Sequence, residues 1–321
     1  MLRCQPVRSP FRILPAGSRQ FDVAGFGLNS IDLVAVVDEH PESDTKQRLR
    51  RFARLPGGQI ATALTVCAKL GWTAHYIGSF GDDLFGQLSQ DSLIGAGVDI
   101  SGSRTVPGAS NQFAIVLVDA RSGKRTVLWD RHPALMFEPH DIPRAAVTSG
   151  RLLIVDCHET AAAAQAARYA REAGVPTIID VERVRPGIGD LLQLIDVLIA
   201  AEDFPTALTG YEDIGRALEA MAAEYPSARV VCATLGEEGS LSRCDGREIR
   251  TPPFQVDCVD STGAGDAFRG GFAAGCLLMP DADVEDVLAY ANAVAALNCR
   301  ALGARGGLPT AAEVDHLLAR V

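Results

Sequence analysis

The residues best able to do chemistry lie together at 260–271, in the run DSTGAGDAFRGG. Gly263, Ala264 and Gly265 make a small-residue turn, and an amphipathic run, 267–278, follows with helical spacing. A turn that opens a helix leaves backbone N–H groups without intrahelical acceptors. With the helix dipole they form a site for an anion such as phosphate. Glycine lets the backbone approach that anion closely. Asp266 sits at the joint, where a bound anion repels it. A carboxylate tolerated there can act as a general base, taking the proton from a hydroxyl that attacks phosphorus. The same string also fits a blander role, an aspartate favouring a helix N-terminus beside a glycine turn.

The elements that position these residues can be read in order. The apolar run FDVAGFG (21–27) predicts a buried strand, with Asp32 just past its end, where ligands of α/β sheets sit. GFGLNS is not a dinucleotide fingerprint, because Ser30 stands where the third glycine belongs and no helix pattern follows. Residues 33–56 mix β-prone and charged residues and read as exposed strands outside the main sheet. Gly57 and Gly58 then open a strong helical run, QIATALTVCAKLG, closed by Gly71, a second place where backbone can meet a polar ligand. Residues 74–80 read as a strand, followed by a helix whose N-terminal acids are Asp82 and Asp83. NQFAIVLVD and RTVLWD, joined by ARSGK, read as a hairpin. From 150 onward strands (RLLIVD, VPTIIDV, DVLIAAE, ARVVCATLG) alternate with helices. That alternation predicts an α/β fold, a mostly parallel sheet with helices on both faces and a small β appendage.

Composition narrows the function. The chain has 321 residues and a net charge of −10, which argues against a nucleic-acid surface. It does not argue against a nucleotide, because the anion site is built from backbone. No apolar run reaches membrane-spanning length. The eight cysteines are scattered with no CxxC pair, so zinc and redox motifs lack support, and buried thiols in a reducing cytoplasm are expected. Residues 1–20 carry four arginines and no acid but no secretory apolar region, which reads as a loose basic tail. His158 and Glu159, at a strand end, read as rim residues, and His132 and His140 as surface.

With these residues assembled, the chain resembles the ribokinase-like (PfkB-type) carbohydrate kinases over about 21–315. DSTGAGDAFRGGF is similar to that family's D-T-x-G-A-G-D-x-F. The glycine pair, the GSFGDDLFG stretch at 78–86 and TLGEEG at 234–239 agree in order and spacing. The resemblance implies a three-layer sandwich over 21–321 with a small β lid, formed by about 33–56 and 104–130, above the sugar. It implies transfer of the γ-phosphoryl group of ATP, with Mg2+, to a sugar hydroxyl. By the match, Asp266 looks like the base and Gly263, Ala264 and Gly265 like the anion hole. Asp32, Gly57, Gly58, Gln59 and Thr62 look like sugar ligands, and Arg125 on the lid hairpin faces the transfer region. Thr234, Gly236 and Gly239 resemble the nucleotide loop, with Asn292 near the adenine. Asp260 and Thr262 match a loop that holds a monovalent cation such as K+.

Within the family the likeness is to the ketohexokinases, carried by GLNSIDLVAVVDEHPESD, SGKRTVLWD and IIDVERVRPGIGDLLQLIDVLIAAEDF. A ketohexose such as fructose is therefore the expected acceptor. Ribose, 2-keto-3-deoxygluconate, sulfofructose, adenosine and a non-catalytic sugar- or nucleotide-binding role remain open. The chain departs from the family in two places. The N-x-x-E motif would fall on Ala201 and Phe204, leaving Glu202 and Asp203 as the nearby acids and the metal ligands unassigned. Gln59 and Thr62 stand where asparagines are usual. Exposed lid edges invite pairing, so a homodimer through the lid is expected, with no nucleic-acid or membrane partner.

Overall fold

Strands with no polar alternation are buried on both faces, and here they form the centre of the molecule. Gly150–Asp156 and Thr177–Val181 are buried at every position. In the computed structural model, which describes residues 12–121 and 125–320, they belong to a nine-stranded sheet. Its order is Val98–Asp99, Ala74–Ile77, Phe21–Phe26, Gly150–Asp156, Thr177–Val181, Val197–Ala201 and Val230–Thr234, all parallel. An antiparallel pair, Ser240–Cys244 and Arg247–Thr251, completes it.

Alternate residues of each strand serve opposite faces. Leu153 and Val155 pack with the helices Thr160–Glu172 and Ile214–Glu224. Leu152 and Ile154 pack with Gln59–Lys69, Ala264–Leu278 and Val284–Asn298. The result is the three-layer α/β sandwich that the sequence implied. The helix Ala264–Leu278 seats closely between its neighbours because of its glycine pair. A Cβ on Gly270 would lie 2.5 Å from the Ala63 carbonyl, and one on Gly271 would lie 2.9 Å from Val294 Cβ.

The chain builds outward in one direction from Phe21–Phe26 and in the other from Gly150–Asp156. Strand order reverses between these two, and ligand crevices of open α/β sheets form beyond the carboxyl ends at such a point. Asp156 ties the two ends together. Its Oδ2 accepts the Leu28 N–H at 2.7 Å and its Oδ1 the His158 N–H at 3.0 Å. A Cβ on Gly27 would collide with this carboxylate.

Over this end stands a separate four-stranded sheet, ordered Arg51–Gly57, Ser30–Val37, Phe113–Asp119, Arg125–Asp130. One small cluster, Val34, Ala114 and Val116, packs with Leu55, Val118 and Leu302 against it. The outer strand Arg125–Asp130 is exposed at every position.

Four details differ from the sequence reading. Arg104–Val106, expected with the hairpin, pairs instead with Ser79–Gly81 in a two-stranded sheet. The strand expected over 74–80 is two strands, Ala74–Ile77 and Ser79–Gly81, broken at Gly78, where the Tyr76 hydroxyl occupies the place of a Cβ. The edge hairpin Ser240–Thr251 was not anticipated. Its signal was the Asp245-Gly246 turn, both with positive φ, between alternating residues. Residues 12–20 of the expected loose tail are docked: Ile13 is buried, Arg151 Nε donates to Leu14 O at 2.7 Å, and Arg19 Nη2 donates to Ala173 O at 2.8 Å. Residues 1–11 of that tail and the hairpin tip 122–124 lie outside the described residues. Among the described helices none is long and apolar enough to cross a membrane.

Candidate active site

The site grows from the first turn of Ala264–Leu278. Gly263 takes a left-handed conformation, φ 73°, which a side chain resists, and a Cβ there would meet the Ala304 carbonyl at 2.5 Å. The Ala264 N–H is spent on Ser261 O at 3.2 Å. The N–H groups of Gly263, Gly265 and Asp266 have no acceptor among the described residues. The free donors are therefore shifted from the expected Gly263, Ala264, Gly265 trio: Ala264 closes the turn while its neighbours point outward.

Asp266 is half-buried, and its carboxylate makes no hydrogen bond among the described residues. Burial pushes its pKa above the usual carboxylate value, while Arg269 and Arg305 pull it back. Arg269 lies one turn on, so it shares the face of Asp266. It forms a buried ion pair with Asp180, 2.9 Å from Nε to Oδ1, and donates to Ile199 O at 3.2 Å. A Cβ on Gly265 would collide with Arg269 Nη1. A side chain at 265 would have to displace the Arg269 guanidinium from this position.

The second cluster surrounds Asp32. Burial raises its pKa to about 6, against the Ser30 hydroxyl, which donates to Oδ1 at 3.1 Å, and the charge of Arg305. A Cβ on Gly57 would collide with Asp32 Oδ2, and Gly58 (φ 88°) lies against the backbone of Asn29. Gln59 Oε1 is buried with no partner, an acceptor waiting for a donor. Thr62, expected to face the sugar, is fully buried and instead accepts from Arg305 Nε at 3.1 Å. Arg305, Arg269 and Asp180 were not singled out from the sequence. Arg269 sits inside the 260–271 run and could have been found by its helical offset from Asp266.

The Asp32 shift gives a sign for pH. Its folded pKa is above its unfolded one, so the folded state holds the proton more tightly. Stability is full below about pH 4 and is lost as pH rises through about 6. Asp32→Asn removes that loss. The variant is expected to be about 1–3 kcal/mol more stable than wild type at pH 8, the difference vanishing near pH 4. Urea midpoints at the two pH values check this, and a variant less stable at pH 8 would contradict the burial argument.

The remaining expected residues spread along the sheet edge. Thr234 ends its strand, with Oγ1 3.4 Å from Ala200 O. Gly236 (φ 55°) has open space where a Cβ would stand, whereas a Cβ on Gly239 would collide with Thr251 O. Asn292 is buried, and its Nδ2 donates to Ser240 Oγ (3.3 Å), Thr251 O (3.3 Å) and Pro252 O (3.4 Å). Its amide therefore holds the edge hairpin to the helix Val284–Asn298. Arg125 reaches down from the four-stranded sheet to Ser261 Oγ at 3.1 Å, beside the anion turn. Both Asp260 oxygens accept backbone N–H groups, Thr262 at 2.9 Å and Gly303 at 2.8 Å.

The acids divide clearly. Phe204 is core, and Glu202 and Asp203 are exposed at a helix start. Glu182 and Asp156 are both carboxylates whose charge reaches Asp180 and Asp266, and the His158 ring 3.4 Å from Glu182 holds the Glu182 pKa below the usual value. Glu159 is buried in a pair with Arg131 and accepts the Phe137 N–H at 2.7 Å, a structural role. Asp83 caps its helix, accepting Gly86 N–H at 2.9 Å. Among the described residues no group of three His, Cys, Asp or Glu is arranged to hold a metal.

The chain as a whole is similar to known proteins. The description "pfkB family carbohydrate kinase" matches residues 20–311. An ATP-dependent ribose-1-phosphate kinase from Halopiger xanaduensis is 34% identical over 312 residues, covering 96% of this chain and 98% of that protein. Fructokinase-1 of Oryza sativa subsp. japonica is 29% identical, covering 92% of this chain and 97% of its own length. The structure of Arabidopsis thaliana ribokinase complexed with ribose and ATP superposes with a TM-score of 0.81 at 25% identity, covering 93% of this chain and 98% of that one.

Proposed function

The chain belongs to the pfkB family of carbohydrate kinases, and from that premise we propose that it moves the γ-phosphoryl group of ATP to a hydroxyl of a small sugar, with Asp266 as the base. One observation carries the reading: a carboxylate with no hydrogen-bond partner among the described residues stands at a helix start whose Gly263, Gly265 and Asp266 N–H groups have no acceptor among them either. The free N–H groups receive phosphate oxygens, and the free carboxylate receives the hydroxyl proton. Arg269, locked by Asp180, keeps positive charge beside Asp266 and favours its ionised form. Asp32, the Gly57–Gly58 backbone and Gln59 Oε1 suit sugar hydroxyls. The open backbone at Gly236 suits the nucleotide, which leaves Asn292 to hold the edge beneath it.

Mg2+ is carried largely by nucleotide phosphates and water, so a site without a cage of protein carboxylates fits it. When bound it neutralises charge on the transferring group, and Glu182 is the acid nearest that region in electrostatic terms. The four-stranded sheet acts as the lid, with Arg125 linking it to the turn and excluding water on closure. The exposed strand Arg125–Asp130 supports a homodimer through the lid, which a monomeric mass by light scattering would rule out.

Between a ketohexose and a pentose the likenesses divide, since relatives named for ribose 1-phosphate, ribose and fructose all match. Acceptor-dependent ADP release, with ATP and Mg2+, against ribose, fructose, their phosphates and adenosine tests the reading. Turnover confined to sugars supports it. A preference for adenosine would replace it with a nucleoside kinase, and ATP binding without turnover on any acceptor would replace it with a binding protein.

A further inference from the structure

The acceptor end of the site holds a charge that a neutral sugar does not call for. Arg305 lies on the loop between Val284–Asn298 and Ala311–Leu318. That loop is pinned by Gly303 N–H on Asp260 and by Asn298 Nδ2 on Ala304 O at 2.9 Å. From it the guanidinium reaches three neutral acceptors: Thr62 Oγ1 at 3.1 Å, Ser92 Oγ at 3.1 Å and Gly57 O at 2.6 Å. It therefore spans the Gly57–Gly58 junction and the first turn of the helix that follows.

Three neutral partners do not balance a cation. Burial lowers the pKa of Arg305 to about 10, and Asp32 and Asp266 lie close enough to act on it electrostatically. Yet no carboxylate of the described residues forms an ion pair with it, unlike Arg269 with Asp180 or Arg151 with Asp22. Arg305 is half-buried, and a cation even partly withdrawn from water is ordinarily paired with a carboxylate, because desolvating a charge is costly. A guanidinium has five N–H groups. Three are spent here, leaving one on each terminal nitrogen. If Arg305 served only to hold Asp32 ionised, a direct bond between them would do it.

We propose that Arg305 binds an anionic group on the acceptor, so that the sugar phosphorylated by this chain already carries a phosphate. This rests on the kinase reading above and names its substrate class. Asp32 and Arg305 divide the work. A carboxylate accepts hydroxyls and repels anions, while a guanidinium with two free N–H groups matches a phosphate. Thr62 fits the same division, because its hydroxyl is turned to Arg305 and helps to hold the guanidinium in place.

The test measures kcat/KM for ribose 1-phosphate and fructose 1-phosphate against ribose and fructose, in wild type and in Arg305→Gln and Arg305→Lys. Wild type is expected to prefer a phosphorylated acceptor over its parent sugar by about 100-fold or more. Arg305→Gln is expected to erase most of that preference, chiefly through KM for the phosphorylated acceptor, with Arg305→Lys in between; activity on both acceptors falls because Arg305 also acts on Asp266 and Asp32, and the ratio between them reports the anion. The wild-type ratio stands by itself should either variant fold poorly. A wild type that prefers the unphosphorylated sugar, or variants that lose activity equally on both acceptors, would overturn the inference and leave the kinase reading intact. No ATP consumption by wild type with any acceptor would overturn the kinase reading and this inference with it.

Discussion

Asp266→Asn is expected to lower sugar-dependent kcat by about 10³-fold, within the range for removing a general base, while leaving the fold intact. Asparagine keeps the shape of the side chain and cannot take the proton. The free N–H groups at Gly263, Gly265 and residue 266 remain, so KM for ATP should change little. Stability has a defined sign. Burial raises the Asp266 pKa in the folded state, so its ionised form is a cost that grows with pH, and the asparagine variant should be at least as stable as wild type at pH 8. Steady-state kinetics with a thermal melt on the same preparation check both halves. Near wild-type turnover would place the base elsewhere, and a large loss of melting temperature would give Asp266 a structural role instead.

Asp180→Ala is expected to destabilise the protein by about 3–5 kcal/mol, because it strands Arg269 without its carboxylate in the core. Both side chains are almost wholly inaccessible, and the remaining partner of Arg269 is Ile199 O. Activity should fall as well, since an arginine released from Asp180 has Asp266 as its next partner, and an ion pair there makes the base less basic. Asp180→Ala combined with Arg269→Met should recover much of the stability, because a buried pair replaced by apolar side chains is often neutral. It should not recover activity, because the stronger of the two cations that favour ionised Asp266 is then gone and only Arg305 remains. Urea unfolding of the two variants decides this: a single-variant loss below about 1 kcal/mol would mean that the pair is not what holds the site helix to the sheet.

What the sequence shows and what it hides follow from how local each feature is. The helix start at Gly263–Asp266 is legible because turn, helix and acid are contiguous, and the parallel strands are legible because each is a continuous apolar run. Asp32 and Gly57 are also legible as candidates, but their contact is not. Gly57 pairs with Ser30 and Asp32 with Leu55 across Ser30–Val37 and Arg51–Gly57, which sets Asp32 diagonally against Gly57, and strand register is not written in either segment alone. Arg305 is hidden for the same reason in stronger form: its partners Gly57, Thr62 and Ser92 are more than two hundred residues away. Thr62 was assigned to the sugar by position, yet its hydroxyl is taken by that distant arginine. The edge hairpin Ser240–Thr251 is hard to read because its outer strand, Arg247–Thr251, alternates and carries charge, which weakens the signal of hydrophobic runs.

The most direct test of the central claim follows the γ-phosphorus of ATP in a single turnover, with enzyme in excess and the preferred acceptor from the sugar panel present. The account predicts that label appears on a sugar hydroxyl at the rate of ADP formation, with none on water or on the protein, and that Asp266→Asn slows this transfer without diverting it. Label accumulating on the protein or as inorganic phosphate would contradict direct transfer to a sugar deprotonated by Asp266.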